Sequence, residues 1–232
     1  RRQRQMCIRD RSLALLQMVS PALPVGAFSY SEGLEALIQS GVLRDEHGIE
    51  LWLAAELQRG GLRLEAAALP ELAADLRQWQ VSADASARTR VVDLDGWLLA
   101  TREAAELRAQ QLQMGGSLLE LLAEMGHPLP EALPLAWPAA WAWASVALQV
   151  AEREMVEGYL YGWVANQLSA AVRLVPLGPT RAQVLQQRLL PQLVDVAEQL
   201  SGVHPHELWN SGVGVSMAQL AHAELYSRLF RS

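Results

Sequence analysis

Apolar positions recur along this chain at helical spacing. Between Arg102 and Met125, the residues Leu107, Met114, Leu118, Leu121 and Met125 stay on one face of a helix, while Arg102 and Glu106 stand one turn apart on another. Thr101 offers an N-cap and Gly126 with Pro128 a stop, so this segment is predicted as one long helix. The same reading predicts helices over Leu13 to Val19, Ser31 to Ser40, Asp45 to Arg59, Pro70 to Val81, Ala139 to Val150, Glu152 to Leu174, Thr180 to Leu200 and Val213 to Leu229. No alternating run is long enough for a convincing strand. The class is therefore all-α, a single-domain bundle of roughly eight to ten helices whose short connections make successive helices antiparallel neighbours.

The breaks between these segments carry information of their own. Ser20 to Gly26 is too apolar for an ordinary solvated loop and should pack against something. Within it Pro24 restricts Leu23 to extended geometry, and Gly26 permits a turn that other residues resist. Phe28 and Tyr30 would share one face if the chain were extended there, with Ser29 on the other. Val175 to Pro179 ends one helix before Thr180 caps the next, and Ser201 to Gly214 reads as a mobile link to the last helix. The uncharged run from Ala132 to Ala151 has the length of a membrane span. Pro134 and Pro138 interrupt it and much of the rest is alanine, so a core helix holding Trp137, Trp141 and Trp143 is the better reading.

Composition narrows the function. Acidic residues number 25 against 19 basic ones, every one of them Arg, for a net charge of −6 and a pI near 5.4. Nucleic acid is a poor partner for such a chain, because phosphate binding needs a clustered basic face. Cys7 is the only cysteine, which excludes an intrachain disulfide, a four-cysteine zinc site and a CxxC redox pair, and suits a reducing cytoplasm. Residues 1–11 are basic without a signal-peptide apolar region, and read as a non-native or disordered extension ahead of a domain over 12–232.

No catalytic constellation emerges. His47, His127, His204, His206 and His222 are scattered, and His204-Pro205-His206 lacks an identifiable third ligand. Gly212-Val213-Gly214 has neither the Lys nor the preceding strand of a phosphate loop, and Ser29 and Ser31 sit in no nucleophile elbow. Glu152, Glu154 and Glu157 beside Arg153 make a solvated face. A non-enzymatic binding protein is the expectation, with no cofactor and no tight metal site. The last seven residues, Tyr226 to Ser232, concentrate aromatic and Arg side chains where chains usually fray, and those residue types dominate interface hot spots. As a continuing helix, Tyr226, Leu229 and Phe230 would form one apolar stripe with Arg228 and Arg231 beside it. Such a stripe docks either on the chain's own core or on a partner.

Several blocks together carry a family resemblance. The string from Leu15 to Glu35, which contains Ser20-Pro21-Ala22-Leu23-Pro24-Val25-Gly26-Ala27-Phe28-Ser29-Tyr30-Ser31-Glu32-Gly33, resembles the N-terminal signature of the UreF family of urease accessory proteins. Thr101-Arg102-Glu103 through Gln113-Met114-Gly115, Ala170 through Gly178, and His222 followed by Tyr226 to Ser232 fall in the same order. The resemblance covers essentially everything from Leu13 to Ser232. It implies an all-helical cytoplasmic protein with no catalytic activity of its own, which dimerises and joins UreD (also called UreH) and the GTPase UreG to deliver nickel to the urease apoprotein. Nickel would be handled by the complex, with no membrane or nucleic acid involved. It further implies that Tyr226, Ser227, Arg228, Leu229 and Phe230, with flanking helix ends, dock on UreD. The loop bearing Pro24, Gly26, Phe28, Ser29 and Tyr30 would lie toward the GTPase, Glu32 and Arg173 would count among the partner-binding residues, and Tyr159 and Tyr161 would lie near the dimer contact. Arg173 stands where the family often has Lys, which keeps charge but changes donor geometry. Pro179 stands where Gln is common, and Ala223-Glu224-Leu225 also departs from the family pattern. A helical adaptor serving another metalloenzyme is the alternative.

Overall fold

The computed structural model describes residues 8–232, so Cys7 and most of the N-terminal extension lie outside the described residues. Ten α-helices and two short 3-10 turns make up the described chain: α1 (Ile8–Met18), α2 (Leu34–Gln39), α3 (Glu46–Arg59), α4 (Leu62–Ser82), α5 (Ala85–Ala100), α6 (Ala105–Glu124), α7 (Trp137–Ala147), α8 (Glu152–Leu174), α9 (Pro179–Leu200) and α10 (Val213–His222). The fold is all-α and forms one domain. Among the described residues no helix is long and apolar enough to cross a membrane. The uncharged run folds as α7, an 11-residue core helix. Its tryptophans Trp141 and Trp143 are buried, and their indole N–H groups donate to the carbonyls of Met155 and His127 at 3.1 and 3.0 Å.

The centre of the bundle is α4, which touches α3, α5, α7, α8 and α9. Six consecutive residues, Leu64 to Leu69, are buried. A helix buried all round needs no polar stripe, and that burial also explains why α4 starts at Leu62 rather than at Pro70. Proline lacks the N–H that would bond the carbonyl one turn back, yet the apolar residues on either side hold the helix together. Between α4 and α6 lies α5, which the periodicity above leaves out although Ala87, Val91, Leu94 and Leu98 stand at helical spacing and are buried. Asp84 caps it by accepting from the Ser86 N–H at 2.8 Å. Thr101, expected to open α6, instead closes α5: its hydroxyl donates to the Leu98 carbonyl at 2.7 Å. Likewise Pro179, at the first turn of α9, and not Thr180, marks that helix's start.

Candidate interaction surface

The short helix α2 presents Glu35, and the first turn of α6 presents Glu106. Between them lies His222 at the end of α10, fully buried, with Nε2 3.1 Å from Glu35 Oε2 and Nδ1 2.9 Å from Glu106 Oε2. Gly33, in the left-handed region at φ +91°, lets α10 come this close: a Cβ there would sit 3.1 Å from the Gln219 backbone nitrogen. The helix stops at His222, and the chain from there to Ser232 runs through turns, contrary to the expected helix to Leu229. The reason is the carboxylate of Glu35. It accepts from the backbone N–H groups of Leu229 and Phe230 at 2.7 and 3.0 Å, pulling the chain out of helical register. Arg228 pairs with the other oxygen of Glu106 at 2.5 Å, and Gln39 donates to the Ser227 carbonyl at 3.1 Å.

The final residues lie against the segment joining α1 to α2. The Arg231 N–H donates to the Ser29 carbonyl at 2.8 Å, while the Ser232 carbonyl accepts from the N–H and hydroxyl of Ser31 and from the Glu32 N–H. The Ser232 hydroxyl donates to Gln110 Oε1 at 2.6 Å. Phe230 is buried beneath the Arg173 guanidinium, 4.4 Å from its ring centroid, and Arg173 also donates to the Phe28 carbonyl at 3.0 Å. The single stripe foreseen for Tyr226, Leu229 and Phe230 is thus split: Phe230 turns inward, while Tyr226 is fully exposed and Leu229 half-exposed. Exposed apolar side chains continue onto α10, where Val213, Met217 and Leu220 share one face, and Trp209 stands open ahead of it. A cluster of this kind marks an interaction surface more often than chance scatter does.

The Pro-rich loop likewise differs from the extended form. Gly26 adopts φ +73° and opens a 3-10 turn over Ala27–Ser29. That turn separates the two aromatics, leaving Phe28 exposed while Tyr30 is buried with its hydroxyl on Gln113. Pro24 is exposed at the loop surface, and Ser29 is partly buried.

Beneath this surface lies a buried polar cluster that sequence reading missed. Arg102 does not pair with Glu106 along a helix; it is buried and hydrogen-bonds to Glu65 of α4, whose other oxygen accepts from the Tyr159 hydroxyl at 2.8 Å. Burial works against the Arg102 charge, but the Glu65 and Glu32 carboxylates more than offset it and hold its pKa above the ordinary value. Burial, then the Glu65 charge, raises Tyr159 well above the ordinary phenol. Tyr159 is therefore a core residue, whereas Tyr161 on the same helix is half-buried. Glu32, at φ +52°, is held by Gln110 and Trp163, and burial raises its pKa. Burial also pushes Glu56 up to about 7 and Asp95 up to about 6, the latter against the Ala136 N–H it accepts. One signal was available for Glu65: a lone carboxylate inside the otherwise apolar run from Leu64 to Leu69 has to be paired or costly.

Among the described residues, no three His, Cys, Asp or Glu side chains group as a metal-binding set. His204 and His206 stack on one another with centroids 5.0 Å apart, and His206 packs at a tilt against Trp97, so the two imidazoles lie face to face instead of converging on a point.

The UreF family model matches residues 43–190. A urease accessory protein UreF of Microcystis aeruginosa is 40% identical over 222 residues, which cover 95% of this chain and 97% of the relative. Those of Prochlorococcus marinus subsp. pastoris and Thermosynechococcus vestitus are each 38% identical, over 93% and 95% of this chain and 96% and 97% of the relatives. Identity of this level along nearly the whole length of both chains, on an all-α fold, places the chain in the UreF family of urease accessory proteins.

Proposed function

We propose that this chain is a non-catalytic cytoplasmic scaffold for nickel insertion into urease, bridging UreD and the GTPase UreG and coupling nucleotide state to nickel delivery. The observation that carries this reading is the exposed apolar surface of α10 and the tail, in which Val213, Met217, Leu220, Tyr226 and Leu229 stand open on a backbone locked by Glu35, Glu106 and His222. A rigid, pre-ordered surface binds at lower entropic cost than a loose one. UreD docks there. The GTPase meets the neighbouring loop through Pro24, Phe28 and Ser29, with Arg173 at its edge, and Tyr30 and Glu32 hold that loop from within. A homodimer forms through α8, with Tyr161 at the contact and Tyr159 supporting it from the core.

The test uses Met217→Asp, a charge placed in the middle of the α10 face at a side chain that is 65% exposed. The variant should fold and melt as the parent does, yet lose UreD capture and urease activation in a reconstituted system. A variant that still captures UreD at parental affinity would move the docking surface elsewhere.

A further inference from the structure

A cavity of about 350 Å³ opens beside the Pro-rich loop, walled by Trp137, Trp163, Tyr161 and Phe28, and reached by the carboxylate of Glu32. Glu32 is 7% exposed. Its Oε1 accepts from Gln110 Nε2 at 2.7 Å and its Oε2 from the Trp163 indole N–H at 2.9 Å. Gln110 turns its Nε2 to Glu32 and its Oε1 to the Ser232 hydroxyl, which donates to it. Both Glu32 oxygens therefore face donors that have no lone pair to receive a proton, an arrangement suited to the ionised carboxylate. Yet among the described residues Glu32 has no ion pair, since the Arg102 guanidinium, which lowers its cost through space, is hydrogen-bonded to Glu65. A buried carboxylate without a counter-charge costs several kcal/mol. Gln111, 3% exposed on the same cavity wall, adds a second acceptor whose Oε1 has no partner. Gln186 lines it too, with an unpartnered Nε2 that an amide rotation would exchange for oxygen.

We propose that this cavity binds a small organic cation, an alkylammonium or guanidinium group, with its charge toward Glu32 and its body against Trp137, Trp163 and Tyr161. Aromatic faces attract such cations and tolerate their apolar stems. A metal ion would need several converging ligands, and among the described residues no three His, Cys, Asp or Glu side chains group as such a set.

Calorimetry on the purified chain tests the site with n-butylammonium and agmatine, against 1-butanol as the neutral counterpart and Ni²⁺ as the metal. Both organic cations should bind at one site at least about tenfold more tightly than 1-butanol, and Glu32→Gln should weaken them by about tenfold or more. Gly162→Leu is the second variant. Gly162 lines the cavity, and a Cβ there meets nothing within 4 Å, so a larger side chain can be added at the cavity wall while Glu32 itself is kept. It decides the matter if Glu32→Gln does not fold. Equal affinity for 1-butanol, binding unchanged in the folded variants, or binding of Ni²⁺ alone would overturn the proposal. Saturating agmatine added to a preformed accessory complex separates two sources of the cation. Release of a partner identifies its Lys or Arg side chain as the occupant, and retention identifies a free amine.

Discussion

Two neighbouring aromatics of the tail have opposite roles, set by which way each side chain points. Phe230 is 4% exposed under Arg173, so Phe230→Ala should lower stability by about 3 kcal/mol, read as an earlier denaturation midpoint. Tyr226 is fully exposed, so Tyr226→Ala should leave the midpoint in place and weaken UreD capture. Glu56 permits a pH test. Its carboxyl is pushed up to about 7 from an ordinary value of 4.5, so the folded chain holds a proton that the unfolded chain releases. Stability therefore falls as pH rises from about 4.5 to about 7 and is level above that, with a loss on the order of 2–3 kcal/mol. Asp95, raised to about 6, acts in the same direction over a lower window. Glu56→Gln should flatten the profile and make the protein more stable at pH 8 than the parent, as urea titrations at pH 5 and pH 8 would show. The apolar partners of these residues were legible in helical spacing, but most of the carboxylates were not: Glu35 and Glu56 look like ordinary surface charges until other parts of the chain close over them.

At the scale of elements, the helices follow from local sequence and their ends follow from contacts. Nine of the ten helices were foreshadowed by apolar spacing, and the tenth, α5, has the same spacing with Asp93 and Asp95 interrupting it. The errors cluster where a side chain from elsewhere takes over a terminus: Thr101 and Arg102 belong to the end of α5 and to Glu65, and the last helix ends at His222, where Glu35 and Glu106 hold the imidazole, with Glu35 also capturing the Leu229 and Phe230 amides further on. On α8 the aromatics do occupy more than one face, with Tyr159 turned into the core and Tyr161 half-buried. Tyr161→Asp should yield a folded monomer by sedimentation, if α8 is the dimer contact. A folded dimer would place the contact on another element.

For the whole molecule, removing residues 225–232 tests how far the tail belongs to the fold. It strips Phe230 from the core, takes from Glu35 the two backbone N–H groups it accepts and takes Arg228 from Glu106, so the truncated protein should melt earlier as well as lose UreD capture. The point substitution at Tyr226 is the cleaner probe of docking for that reason. The all-α class, the core helix at Trp141 and Trp143, the acidic balance that disfavours nucleic acid and the UreF motifs were all determined by the sequence, because periodicity, composition and short motifs are properties of neighbours along the chain. Only the tertiary structure decided that Tyr30, Tyr159 and Phe230 turn inward while Phe28 and Tyr226 stay open, and that one buried Arg serves a carboxylate 37 residues away. Those outcomes depend on which remote groups meet in a medium of low dielectric, where each buried charge must find its partner, and linear spacing carries no record of that meeting.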